Sequence, residues 1–241
     1  MMDCRPSRTA GAIARVAIAL LLGSMTTAQE PNAAEVIHLV DAEVAYRVER
    51  VIGFTNIEHY SVYQGHDETH PVAEMTVRDT YKKGVGKTYT VLSQSGSSIF
   101  LRFGLKPLLD NEQTINEPGN VEKSWFTSAN YEMKLKPGGV QRVNGRKCFA
   151  IAITPKEKAA NMIDGTLWVG AQDGSIVEVE GVASKRPSIF AGTTHMMRQY
   201  VNIDGYPMAT HARAESDSFL FGRFVVVIDY SDYKLQLKNG K

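Results

Sequence analysis

The chain has almost no cysteine. Its 241 residues carry two, Cys4 and Cys148, and the first lies ahead of an apolar run that reads as a removable leader. Once that leader is gone a single thiol remains, so no intrachain disulfide can staple the fold and a buried core must hold it. An excess of one charge is also missing: 27 Lys and Arg stand against 26 Asp and Glu. Nucleic-acid binding draws on clustered cations, so this balance gives no electrostatic reason to expect nucleic acid as a partner. Long apolar runs are scarce. The longest, from Ala10 to Met25, falls short of the roughly 20 residues that span a bilayer, which argues against an integral membrane protein. No Ser/Pro-rich linker and no repeat unit interrupts the chain.

The leader itself is well formed. Arg5, Arg8 and Arg15 supply a positive n-region, Val16 to Leu22 an unbroken h-region, and Thr26-Thr27-Ala28 a small-residue cleavage site. Residues 1–28 are expected to be an export signal, and 29–241 a single domain in the periplasm. No Cys follows the h-region to carry a lipid anchor, and Arg5-Pro6-Ser7-Arg8 is not a twin-arginine pair. Cys148 sits in the apolar run Cys148-Phe149-Ala150-Ile151-Ala152-Ile153, where a buried, inert thiol is expected.

Periodicity then divides the chain. Val36, Ile37, Val40, Val44, Val48 and Val51 recur at three- and four-residue spacing, which predicts an amphipathic helix over 33–51. Strands are predicted from Asn56 to Tyr63, Val72 to Tyr81, Thr88 to Leu92 and Ser98 to Phe103, and a short helix from Leu105 to Ile115. The second half is organised by Asn144-Gly145, Asp173-Gly174 and Asp204-Gly205. Such dipeptides accept the positive φ angles of tight hairpin turns and imply an antiparallel meander. Tyr131 to Lys136 alternates strictly, as one-sided strands do. Gly222 to Leu237 is apolar on both faces around Val225 to Ile228, so both of its faces are expected to be covered.

Motifs of chemistry fail on inspection. Gly84-Val85-Gly86-Lys87-Thr88 lacks the earlier glycine of a phosphate loop and the helix after it, and reads as a hairpin turn. In His66-Asp67-Glu68-Thr69-His70 the glutamate is one place late for a zinc-protease helix, and Pro71 follows. His195 and His211 lack a thiolate or carboxylate cluster beside them. Neither a Gly-x-Ser-x-Gly elbow nor a Gly-x-Gly-x-x-Gly fingerprint occurs. No catalytic residue, cofactor or metal is therefore expected.

Asn130-Tyr131-Glu132-Met133, Gly165-Thr166-Leu167-Trp168-Val169, Arg198-Gln199-Tyr200, Gly205 to His211 and Ile228-Asp229-Tyr230 together resemble exported bacterial proteins of the outer-membrane lipoprotein-sorting type. Their superfamily includes the periplasmic lipoprotein carrier of the Lol pathway and a lipid-binding sensor that controls an envelope-stress anti-sigma factor. The resemblance runs from the Ala33 helix to Leu237 and is most specific over Gly165 to Gly181. It implies a mainly β fold with α: a curved antiparallel half-barrel, helices lidding its concave face, and an apolar cavity between. It also implies a carrier or sensor of lipid or lipoprotein acyl chains, with transient envelope-protein partners. The residues expected to line an acyl cavity are Trp125, Tyr131, Met133, Trp168, Met196 and Phe219. Two other readings stay open: a structural or regulatory envelope module with a filled cavity, and a hydrolase on the same scaffold.

Overall fold

The computed structural model describes residues 32–159, 161–185, 191–218 and 222–238. The expected export signal, with Cys4, and Phe219 lie outside them. Helix α1, Ala33–Arg50, starts where Asn32 accepts a hydrogen bond from the Ala34 amide at 3.0 Å. Glu35 in its first turn and Arg47 and Arg50 in its last complement the helix dipole. It then passes into strand β1, Val51–Gln64, without a loop: the Val51 amide still bonds Arg47 O while its own backbone is already extended.

Ten more strands follow: β2 (Ala73–Lys82), β3 (Gly86–Gly96), β4 (Tyr131–Leu135), β5 (Gln141–Val143), β6 (Arg146–Pro155), β7 (Ile163–Gly170), β8 (Ile176–Ala183), β9 (Ala191–Ile203), β10 (Tyr206–Ser218) and β11 (Gly222–Leu237). They form one curved antiparallel sheet in the order β3-β2-β1-β11-β10-β9-β8-β7-β6-β4, with β5 also beside β6. The sheet does not close, so β3 and β4 are its edges. From β6 to β11 it is the expected meander. Asn144-Gly145 and Asp204-Gly205 take positive φ at both residues, as a type I′ turn requires. At Asp173-Gly174 only the glycine does. There the Asp173 carboxylate accepts from the Ser175 amide and hydroxyl, and α1 packs so close that a Cβ on Gly174 would stand 2.7 Å from the Leu39 carbonyl carbon.

One predicted strand is a helix. Ser98–Phe100 forms α2, Leu101–Leu105 a π-helical turn, and Lys106–Ile115 helix α3. Ile99, Leu101 and Phe103 alternate as a strand would, but Phe100, Leu101, Leu105, Leu108 and Leu109 also recur at helical spacing, and it is these that pack on the sheet. The wide π turn ends two residues before Pro107, which has no amide hydrogen to give to the α pattern.

Two apolar clusters make the core. In the first, Val36 and Val40 of α1 lie over Phe149, Ile151, Leu167, Val169 and Val179 of β6 to β8. In the second, Leu105 and Leu109 lie over Tyr60, Val62, Met75, Val77 and Ile228. Val225 and Ile228 of β11 are both buried although they face opposite ways, as its two apolar faces require. Cys148 is also fully buried, and burial raises its pKa. The native thiol is expected to react with a maleimide at least 100-fold more slowly than the urea-unfolded chain. Labelling at the unfolded rate would contradict this packing.

Candidate ligand-binding site

Residues directly opposite one another in a sheet share a face. The register gives a continuous row across eight strands: Ile151, Leu167, Val179, Arg198, Ala212, Ile228, Tyr60 and Met75. Both clusters therefore lie on one face of the sheet, the face that α1 and α3 cover. Arg198, on β9, is the charged member of that row. Its neighbour Tyr200 lies on the same side and packs against the first cluster. Burial opposes the charge on Arg198, but Tyr230, Tyr200 and Glu112 outweigh it and raise its pKa. Arg47, in the last turn of α1, reaches the start of β10. Its Nε donates to Pro207 O at 3.0 Å, its Nη2 meets the Met208 sulfur at 3.5 Å, and burial lowers its pKa.

A buried ion cluster lies at the β3 end of this face. Lys87 Nζ stands 2.9 Å from Glu58, 2.6 Å from Glu112 and 2.5 Å from Asp79. Burial pulls the Glu58 carboxyl upward, yet Lys87, Asp79 and Tyr60 together hold it at about 2. Asp79 is pushed up to about 8, by burial first and then by Glu58 beside it. Neither Asp79 oxygen accepts a well-directed hydrogen bond despite the short approach of Lys87. The three carboxylates lie close enough together to hold a cation, but the lysine ammonium already pairs with each of them, so it takes the place a metal would need. The sequence reading missed this cluster because Lys87 looked like part of a turn. Its trace was there: Glu58 falls in step with Tyr60 and Val62, and Asp79 with Val77 and Met75, on the apolar sides of their strands.

Two open spaces adjoin the sheet among the described residues. A crevice of about 140 Å³ is lined by Arg47, Val51, Phe54, Tyr81, Lys83, Val121 and Trp125 among others. A shallower depression of about 360 Å³, bordered by Glu180, His195, Met197, Arg213 and Glu215, lies at β7 to β10. His70 faces Asp67 in an exposed loop that Glu68 pins to Arg213 and Arg223. His211 pairs with Asp229 at 2.7 Å.

Of the residues expected to line a cavity, Tyr131 is sealed in the first cluster, while Met133 and Met196 are half-buried against it. Trp125 lines the crevice, beside the 3₁₀ turn at Val121–Ser124. Trp168 does not join them. Leu167 and Val169 point toward α1, and strand alternation sends Trp168 to the opposite face.

No family model matches the chain, and no curated protein matches it in sequence. Among solved structures it is similar to a LolA-superfamily protein of Nitrosomonas europaea, at 13% identity and TM-score 0.46 over 86% of this chain and 94% of that one. A domain from Vibrio parahaemolyticus described as an outer-membrane lipoprotein-sorting protein aligns at 13% and 0.49 over 87% and 96%. A DUF1329-family protein of Desulfovibrio piger aligns at 15% and 0.44 over 86% and 95%. Among the described residues no helix is long and apolar enough to cross a membrane.

Proposed function

We propose that the chain is an exported, non-catalytic protein of the bacterial envelope whose concave sheet face binds the acyl chains of a lipid or lipoprotein, as a carrier or sensor in lipoprotein sorting. One observation carries this reading. A mostly apolar row crosses eight strands on a single face, and its covers are lightly seated: α1 fully buries only Val36 and Val40, and the 98–115 segment only Leu105 and Leu109. A fully buried aliphatic side chain stabilises by about 1.5–3 kcal/mol, whereas an acyl chain gains about 0.8 kcal/mol for each methylene it buries. A long chain therefore releases more free energy on burial than unseating one cover helix requires. The balanced charge gives no electrostatic reason to expect nucleic acid as a partner. The resemblance of the Gly165 to Gly181 stretch to lipoprotein-sorting proteins points the same way.

The crevice beside Arg47, about 140 Å³, is smaller than the roughly 300 Å³ at which ligand pockets begin. An acyl chain would thus enter by displacing a cover. That closed packing is also what favours the second reading, a structural or regulatory module with a filled concave face. The two differ at Met133 and Met196. For an acyl binder, Met133→Gln and Met196→Gln weaken a fluorescent fatty-acid probe about 3–10-fold, near 1 kcal/mol, with little change in urea midpoint. A filled module shows lower midpoints in both variants and binds no probe. Trp125 and Tyr131 remain part of the proposed wall, and Trp168→Gln is expected to leave the probe affinity unchanged.

A further inference from the structure

We propose that the outer edge of β3 is an interface through which two copies of this chain pair, joining their sheets antiparallel across a two-fold axis. The interface stands apart from the acyl-binding reading and needs none of its residues. In an antiparallel pair, backbone groups turn alternately toward the neighbouring strand and away from it. The Ser97 amide donates to Val72 O at 2.8 Å, so in the same register Ser95 and Ser93 turn toward β2 while Gly96 and Gln94 turn outward. Leu92 has no opposite residue and forms a bulge. Beyond it the Lys87 carbonyl accepts from Gln113 Nε2 of α3 at 3.5 Å, which marks Lys87, and in step with it Tyr89 and Val91, as outward residues. Among the described residues, no backbone bond from outside the strand pairing reaches Tyr89, Val91, Gln94 or Gly96.

Sheet edges are ordinarily protected by shortness, charge or proline. The β4 edge follows that rule, with five residues that include Glu132 and Lys134. The β3 edge does not: Thr88 to Gly96 holds no charge and no proline, and Thr90 to Gly96 are exposed one after another. Val91 and Leu92 lie in this run and are exposed apolar side chains. The bulge selects the occupant. A regular strand offers backbone groups at every second residue, whereas this edge offers them at 89, 91, 94 and 96. That spacing reads the same from either end, so a second copy running the other way matches it throughout, Val91 meeting Gln94 and Tyr89 meeting Gly96. Self-pairing also sets each side chain against residues of its own strand, where like charges would repel. An uncharged strand avoids that cost.

Analytical ultracentrifugation of the full chain over a dilution series tests this, with amide exchange read at Tyr89, Val91 and Gln94. The wild type is expected to form a dimer that dissociates on dilution, and those three amides should lose protection as it does. Val91→Lys combined with Gln94→Lys sets like charges opposite one another and should weaken the dimer about 100-fold or more. Val91→Lys combined with Gln94→Glu sets opposite charges there and should stay within about 10-fold of wild type. Gln94→Pro removes an outward amide but no bond to β2, and should also give a monomer. Urea midpoints confirm that each variant is folded. A wild type that is monomeric at every concentration overturns the proposal. So does a dimer that survives both the double-lysine and the proline variants, because its interface then lies elsewhere. Neither result bears on acyl binding, which the fatty-acid probe reads separately.

Discussion

Lys87→Met is expected to lower the unfolding free energy by about 3–5 kcal/mol near neutral pH, the usual consequence of removing one partner from a buried ion cluster. For a domain of this size that is a fall in Tm of roughly 10 °C. The methionine keeps the length and apolar stem of the lysine, so the loss reports the charge. Glu58 and Glu112 lose their cation, and the Glu58 side chain is 2% exposed. The deficit should shrink as the pH drops toward 4, because the stranded carboxylates can then take up protons. Thermal melts from pH 4 to 8 check this. A deficit that is small, or that is the same at every pH, would show that Lys87 only fills space.

The same cluster sets a pH dependence in the wild type. Glu58, held at about 2, gives stability that is fully present above the ordinary carboxylate range and disappears as the pH falls toward 2. Asp79 acts in the opposite sense. With its folded pKa near 8, the native state binds more protons than the unfolded chain from about pH 4 to 8, so stability falls as pH rises through that window. Asp79→Asn is expected to flatten the decline, giving a variant more stable relative to wild type at pH 8 than at pH 4.

The second large effect concerns α3. Leu109 is the side chain by which α3 is fully buried, and Leu109→Ala removes contacts worth about 2–5 kcal/mol. If α3 is a separately seated cover, the loss falls on its own opening. Amide exchange over 98–115 should then accelerate at least 30-fold, while β6 to β8 keep their wild-type protection. A uniform acceleration through the whole sheet would mean that α3 is part of the global core, and would remove the route by which an acyl chain is proposed to enter.

Much of this architecture was legible in the sequence because local chemistry dictated it. The α1 stripe, the three Gly-containing turns and the two-faced Gly222 to Leu237 strand each followed from spacing or from φ requirements of particular residues. What was not legible depends on partners distant in sequence. Nothing in Val51–Gln64 announces that it pairs with β11, because the antiparallel register joins Tyr60 to Ile228 through a contact no local pattern encodes. Ser98 to Phe103 satisfied two periodicities, and the neighbouring sheet selected the helical one. Trp168 was assigned to the cavity for its size, yet its parity with Leu167 already placed it on the other face. The Lys87 cluster was missed for a different reason: a charged residue in a Gly-flanked stretch reads as solvated, and only three strands and a helix converging on it make it buried.

Native mass spectrometry of the protein isolated from an expressing cell's envelope fraction tests acyl binding most directly. The account predicts a population heavier than the bare chain by the mass of an acyl-bearing lipid, released on unfolding and identifiable in the organic extract. A spectrum holding only the bare chain, unchanged after incubation with saturating long-chain fatty acid and lysophospholipid, would contradict it and leave the concave face as a filled structural core.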